Sequence, residues 1–434
     1  FMNEENVELT PTLQSWRSDR EDLFGRFCEE LERWFANGSE PFDADQDIRY
    51  LLDLQEKRLK ERKIEAYCTL TPRGTPPMQA SKVLGGSLNP YNRSTHYRSF
   101  EEELEFRRNG ETLYKRKKDL NVYLSIIEPA EGEKGIGETA AGCPNCGNIA
   151  KVSDLLQGGC PFCRTHFIYK DLFPKVVNYY AVETIPAPEV IDRRSKQIPK
   201  IGAVVGAVVG LISCVAGGYL KNGILGVFAI LLLSALTAGV FAFFSYMLYS
   251  VFLMGKLFRL AGKSLPMLGA LGSDKKLNRS LSVYDPAFSV EYFSGKAMSL
   301  FRTIVFSRDP QELPQYAGGK LDERFADLIH CTSKGAVGVR SINEKDGYLE
   351  VGLELFLTDF YDEGNKIKVK DDRILMTMRH NAEFKVKDTF AFSAVVCPNC
   401  GGSFNVLKEK HCPHCHSRFE SSREDWEVTS VRYR

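Results

Sequence analysis

The chain lacks most of the signals that announce an enzyme. No Ser–His–Asp set and no Glu-x-x-His pair stands at a useful spacing. The glycine-rich stretch GIGETAAG (135–142) lacks the Gly-Lys-Ser/Thr of a phosphate loop and is expected to be a flexible loop. Charge of one sign is not in excess either: 57 Lys and Arg stand against 56 Asp and Glu, for a net charge of +1. That balance gives no broad basic footprint for nucleic acid and no acidic tail. The opening stretch FMNEENVELTPTLQSW has no apolar h-region, so no cleaved signal peptide is expected in it.

Charge is also missing from two long runs. IGAVVGAVVGLISCVAGGYL (201–220) carries none, and its twenty residues at about 1.5 Å each span roughly 30 Å, the hydrocarbon thickness of a bilayer. Lys221-Asn222-Gly223 is a turn signal, and a second uncharged run extends from Ile224 to Met254. The second run exceeds one bilayer thickness, so it should tilt or project, with Tyr246 and Tyr249 at that interface. Together they predict a transmembrane helical hairpin over 198–256. Arg193, Arg194, Lys196 and Lys200 precede it, and Lys256, Arg259 and Lys263 follow it. Positive flanks on both sides place both in the cytoplasm of a multi-pass protein of the inner or plasma membrane. Neither span contains an ionisable group, which argues against an ion or proton path. Gly202, Gly206 and Gly210 share one helix face. That face either packs on Ala235, Ala238 and Ala242 of the second span or mediates homo-oligomerisation.

Twelve cysteines are present, and eight fall in two similar segments, CPNCGNIAKVSDLLQGGCPFC and CPNCGGSFNVLKEKHCPHC. Cys28, Cys68, Cys214 and Cys331 stand alone. Paired C-x-x-C knuckles point to metal rather than to a disulfide framework. Cys143, Cys146, Cys160 and Cys163 form one predicted four-sulfur set, and Cys397, Cys400, Cys412 and Cys415 the other. Four thiolates suit tetrahedral zinc and leave no open position for catalysis, so two structural zinc ions per chain are expected. Arg164 near the first site, and Lys408, Lys410, His411, His414, His416 and Arg418 near the second, are expected to offset the negative charge. Neither zinc ribbon shows the basic and aromatic interleaving of a nucleic-acid binder.

Around the second ribbon the pattern is helical first and then alternating. Phe293, Ala297, Leu300, Phe301, Ile304 and Val305 recur at helical spacing, Asp309-Pro310 ends that helix, and a second helix is expected over 314–329. YLEVGLELFLTDFYD then alternates as a half-buried strand, more strands are expected near 365–380 and 384–396, and DWEVTSVRYR closes the chain as a last strand. Helices followed by an antiparallel sheet is an α+β plan. Asp285-Pro286-x-Phe288, the Phe293/Ala297 helix, Arg308-Asp309-Pro310 and the Trp426-x-Val428 strand make 282–434 resemble the Tim-forty-four-like family, which includes bacterial membrane-anchored relatives. The resemblance implies a nuclear-transport-factor-two-like cone of helices on a curved sheet, and a role in protein translocation or envelope protein handling. In some cones an acid–base pair lies inside; His380 and Asp388 are the residues here that could face inward.

The first half has its own helices. Ser18-x-x-Glu21 reads as a capping box, followed by the stripe Leu23, Phe24, Phe27, Cys28, Leu31, Trp34, Phe35 and a stop at Asn37-Gly38. A second helix is expected over 45–65, then a strand at EAYCTL, a loop at GTPPMQASKVLGGSLNPYNRST and a hairpin about Asn109-Gly110. KKDLNVYLSII (117–127) is similar to VKDTFAFSAVV (386–396), each ahead of a ribbon, so the first half reads as a divergent copy of the second. The basic runs RLKERK (58–63) and YKRKK (114–118) are expected to be solvated, or drawn to anionic lipid if near a bilayer.

The predicted organisation is a tail (1–17), an α+β domain (18–183) with a ribbon at 143–167, a linker (184–197), the hairpin, a linker (257–281), and the resembling domain (282–434) with a ribbon at 397–419. It thus comprises two cone-like α+β domains joined by a transmembrane hairpin. The function expected from it is a non-enzymatic, membrane-anchored scaffold or adaptor that binds an unidentified protein partner, or lipid, at the cytoplasmic face. The alternatives are a small-molecule or lipid carrier or sensor using a cone pocket and, less favoured, an enzyme.

Overall fold

A computed structural model describes residues 13–73, 79–80, 91–129, 136–183, 188–271, 277, 279–284, 288, 290–384, 394–406 and 409–434. They fall into two compact units. One is built from both flanks of the apolar hairpin, residues 1–183 and 269–434; the other is 184–268. The stretches 18–183 and 282–434, separate domains in the sequence reading, therefore belong to one unit.

In the first half, α1 (Leu13–Asn37) buries Leu23, Phe24, Phe27, Cys28, Leu31 and Trp34, the stripe its spacing predicted. The helix begins before Ser18, so Ser18 and Glu21 lie inside it and do not cap it. Gly38 ends it in the left-handed region, at φ +74°. Asp45 caps α2 (Gln46–Glu61) by accepting from the Asp47 and Ile48 N–H groups. Strands β1 (Glu65–Pro72), β2 (Gln79–Ala80), β3 (Tyr91–Arg108) and β4 (Glu111–Pro129) follow. Strand β3 takes up the end of the predicted loop. The β3–β4 turn is Asn109-Gly110, at φ +51° and +82°, the two left-handed positions that a two-residue hairpin requires. GIGETAAG is more ordered than expected: Ala140–Gly142 (β5) pairs with Ile149–Lys151 (β6) at the base of the first ribbon. Short helices α3 (Val152–Gln157) and α4 (Tyr169–Leu172) lead to β7 (Lys175–Glu183).

In the second half, α7 (Val290–Phe306) is followed by β8 (Leu328–Lys345), β9 (Tyr348–Asp362) and β10 (Ile367–Asn381). A second ribbon with β11 (Ala394–Val396) and β12 (Ser403–Asn405), a turn of helix α8 (Ser421–Glu424) and β13 (Glu427–Tyr433) complete it. The helix expected over 314–329 is absent. Short 3-10 turns stand at Pro310–Glu312 and Glu323–Asp327, and between them the backbone extends to pair with β13. Pro314, Gly318 and Gly319 disfavour a helix there. Strand β9 alternates only to Gly352; from Leu353 to Asp362 every residue is buried, because both faces are covered.

The halves repeat one plan. The nine-stranded sheet runs β1-β3-β4-β7-β8-β9-β10-β13, with β2 beside β3, so each half contributes three meandering strands, a ribbon and a returning fourth strand. The agreement extends to single residues. Ile126 pairs with Val176 and Met378 with Val428, and the same register shift follows each pair, leaving Val177 and Thr429 as the extra residues of a bulge. Val176 gives its N–H to the Asp43 carbonyl and accepts from Asp45. Val428 gives its N–H to Gln315 and accepts from Ala317. This register differs from the one read in the sequence. The counterparts of 122–127 are 374–379, not residues in 386–396, of which 386–393 lie outside the described residues. Ala394–Val396 corresponds instead to Ala140–Gly142.

Among the described residues, one parallel bridge, Val182 to Ser333, links the two half-sheets. The side chains across this junction explain the basic runs. Arg58 donates to the Phe325 carbonyl at 2.7 Å, and Gln55 to that of Ile329 at 3.1 Å. Arg62 and Arg108 both reach Asp362, at 3.1 and 2.7 Å. Arg116 is buried between Glu102 and Glu183, with Thr332 of the second half at 3.2 Å. Lys115, Lys117 and Lys118 pair with acids on neighbouring strands. The runs at 58–63 and 114–118 are thus largely occupied within the protein instead of forming a free solvated face. Phe360 of β9 enters the first half's core against Phe106 and Tyr114, while Leu51 of α2 joins the second half's core.

The other unit is a helical hairpin, α5 (Pro188–Ala216) and α6 (Gly223–Leu271), turning through Gly218 at φ +78°. The spans long and apolar enough to cross a membrane are Ser195–Ala216 and Gly223–Met254. Only 17 % of each is buried in the chain, which is not how a soluble core helix sits. Helix α6 continues to Leu271, so the expected linker from 257 begins as helix. The glycine face packs within the hairpin: a Cβ on Gly206 would meet the Thr237 carbonyl oxygen at 2.5 Å, and one on Gly202 that of Phe241 at 2.7 Å. The contacts are Ser234, Thr237, Ala238, Phe241 and Ser245, close to the alanine face expected. Gly206→Leu should destabilise the hairpin by about 1–3 kcal/mol by overpacking. A lower melting temperature in detergent, with Gly239→Leu unchanged because nothing lies within 4 Å of it, checks this.

Candidate metal centres

Each quartet is assembled from two knuckles of the same local geometry. The first cysteine of a knuckle gives its N–H to the carbonyl five residues on: Cys143 to Asn148 at 2.8 Å, Cys160 to Thr165 at 2.9 Å, Cys397 to Gly402 at 2.8 Å and Cys412 to Ser417 at 2.9 Å. Its own carbonyl accepts from the residue four on. That residue must take positive φ to close the turn; it is Gly147 at +72°, Arg164 at +61°, Gly401 at +73° and His416 at +58°. Two of the residues read as charge-balancing rim therefore also serve the backbone.

The eight cysteines expected to bind metal are brought together as two separate sets: Cys143, Cys146, Cys160 and Cys163, and Cys397, Cys400, Cys412 and Cys415. Within each set the sulfurs lie within 4.8 Å of one another. Cys143–Cys163 and Cys146–Cys160 are both 3.7 Å apart, Cys397–Cys415 is 3.7 Å and Cys400–Cys412 is 3.6 Å. A metal–sulfur bond of about 2.3 Å in a tetrahedron places sulfurs about 3.8 Å apart, so the spacing fits one four-coordinate ion per set. A disulfide needs about 2.05 Å and is excluded at these distances. The histidines are not part of either set. His411, His414 and His416 are exposed, and His414 Nε2 lies 3.3 Å from the Ser403 carbonyl. Lys410 donates to the Gln311 carbonyl, and Lys408 lies outside the described residues.

A second ring of groups escaped the sequence reading. Asn145 and Asn399, the third residues of the two C-P-N-C knuckles, donate to Cys163 at 3.6 Å and Cys415 at 3.5 Å. Thr165 and Ser417 stand two residues past the last cysteine of each set, with hydroxyls 3.3 and 3.1 Å from Cys163 and Cys415. The Thr165 hydroxyl and its neighbours hold the Cys163 thiol down to about 6, and Ser417 does the same for Cys415, to about 5. Both groups thus favour the thiolate that a metal needs. The legible signal was the repeated C-P-N-C and the hydroxyl residue at the same offset.

The ribbons differ in support. The first has a core of its own, including Ile149, Val152, Leu155, Phe167 and Phe173. The second has Val395, Phe404 and Val406 besides its buried cysteines, with Phe419 edge-on to Phe404. Strands β5 and β6 lie against β11 and β12, and Val396 packs on the first ribbon's core. The ribbons are neighbours.

Of the candidate acid–base pair, His380 is fully buried, with Nδ1 2.5 Å from the Ser422 carbonyl and its ring against Trp426. Burial pushes its pKa down. Asp388 lies outside the described residues. Compared with family models, with curated proteins and with solved structures, the chain finds no match.

Proposed function

We propose that the chain is a membrane-anchored scaffold, with a zinc ion in each four-sulfur set, whose soluble unit binds a protein partner at the cytoplasmic face. The observation that carries this is the composition of that unit. Residues before and after the hairpin build one sheet, which requires both flanks to lie on the same side of any membrane the hairpin enters. The positive flanks favour the cytoplasm as that side. Closed four-thiolate sets favour a structural over a catalytic metal, and zinc is the ion that most often takes such sets without redox chemistry.

Of the residues behind the resemblance to Tim-forty-four-like proteins, Phe288, Phe293, Ala297, Trp426 and Val428 share one core. Phe293 lies tilted against Phe288 at 5.5 Å and edge-on to Trp426 at 5.4 Å. This is consistent with a shared fold, and protein translocation or envelope protein handling follows by analogy only. An open groove lined by Arg58, Val305, Arg308, Lys320 and Phe325 at the junction of the halves offers mixed charge and apolar surface to a partner.

Photocrosslinking from Lys320 in cells, with sidedness reporters at Lys221 and at the C-terminus, tests this. One reproducible protein adduct and reporters on opposite sides are expected. Reporters on the same side would remove the anchor, and absence of any reproducible adduct would remove the scaffold.

A further inference from the structure

Where the two halves meet, the interior holds a cavity of about 40 Å³. Leu31, Leu70 and Met298 form part of its apolar wall, and Tyr179, Arg302, His330 and Glu102, the last held by Arg116, line it with polar groups. The charges around it do not balance. Arg116 and Lys118, nearby, are matched by Glu102 and Glu183, which leaves Arg302 over. Arg302 is only 5 % exposed, yet among the described residues it has no carboxylate partner. Its Nη2 donates to the Tyr179 hydroxyl at 2.6 Å and to Gln55 Oε1 at 3.3 Å, its guanidinium lies over the Tyr179 ring at 4.6 Å, and its buried Nε has no acceptor. His330 adds no negative charge: its Nδ1 accepts from Gln55 Nε2 at 3.1 Å, and burial with Arg116 and Arg302 nearby keeps the ring neutral.

A guanidinium never releases its proton near neutral pH, so a buried one without a counter-charge is strongly unfavourable unless an anion is supplied. Water solvates such a group only in part. At about 10–15 Å³ for each water, the cavity has room for about three waters or a short organic acid. We propose that this cavity binds a small monovalent carboxylate, its charge met by Arg302 and its hydrocarbon end against Leu31, Leu70 and Met298. The planar fork of arginine suits a carboxylate. A dianion would need a second unmatched cation, which the lining does not provide. Because lining residues come from both halves, occupancy would favour their association.

Thermal melts of the full chain in detergent, with acetate as the probe at constant ionic strength, test the proposal. Chloride and sulfate are the comparison salts. Wild type should melt higher with acetate, saturably, and more than with equal chloride or sulfate. Arg302→Met should lose that dependence. Ala181→Leu, which narrows the cavity while keeping Arg302, should lose most of it and decides the matter if Arg302→Met fails to fold. An equal response to all three salts, no saturable response in wild type, or an acetate response retained in Ala181→Leu would overturn the assignment.

Discussion

If each four-sulfur set holds the proposed ion, Cys412→Ser is expected to leave the purified chain with one bound metal ion instead of two and to unfold the second ribbon locally. Structural zinc in small modules contributes on the order of 10 kcal/mol, coupled to folding. The second ribbon has few buried apolar residues of its own to offset that loss. Hydrogen exchange should rise across the described parts of 394–419, and at Val396, where the second ribbon touches the first. Cys160→Ser should also remove one ion, but with less exposure of backbone, because Ile149, Val152, Leu155 and Phe173 remain packed. Metal analysis and exchange mass spectrometry on wild type and both variants check this. Retention of two ions in either variant would show that the four sulfurs do not act as one set. Iron in place of zinc would correct the metal while leaving the site.

Asp362→Ala should weaken the junction of the halves by about 1.5–3 kcal/mol, because Arg108 loses its carboxylate and Arg62 keeps only Asp327. The Asp362 side chain is 5 % exposed and takes Arg62 and Arg108 together. Burial raises its pKa, but the Gly364 N–H, Arg108 and Arg62 outweigh burial and hold the carboxyl below its usual value. A depressed folded pKa means that the stabilisation is complete above the unfolded value of about 3.9 and is lost as pH falls through the folded value. Wild type should therefore lose stability in acid at this site, whereas Asp362→Asn should start lower at neutral pH and lose less on acidification. Melts of the detergent-solubilised chain between neutral and acid pH measure both. A neutral-pH difference no larger than that of an exposed substitution, within about 0.5 kcal/mol, would show that the junction does not depend on this residue.

The parts of the protein legible in its sequence are those that local spacing encodes. A C-P-x-C knuckle closes within five residues, so the eight cysteines and their grouping can be read directly. The same holds for the Asn109-Gly110 turn, the stripe of α1 and the uncharged spans, each governed by neighbours a few residues apart. Capping at Ser18 failed because α1 continues upstream of it. The helix expected at 314–329 failed because Gln315 and Ala317 pair with Val428, more than a hundred residues later. The copy relationship is legible at the ribbons but its register is not, because β10 and β4 share geometry more closely than sequence.

By itself the sequence determined two four-cysteine sets, an apolar hairpin and α+β flanks, since composition and short-range periodicity suffice for each. Only the tertiary structure decided that the flanks form one body, that the basic runs are largely occupied inside it and that the ribbons touch. Those outcomes depend on pairings such as Gln55 with Ile329, 274 positions apart. A charged or alternating stretch records which face it presents, but the group that meets that face is fixed when the halves pack.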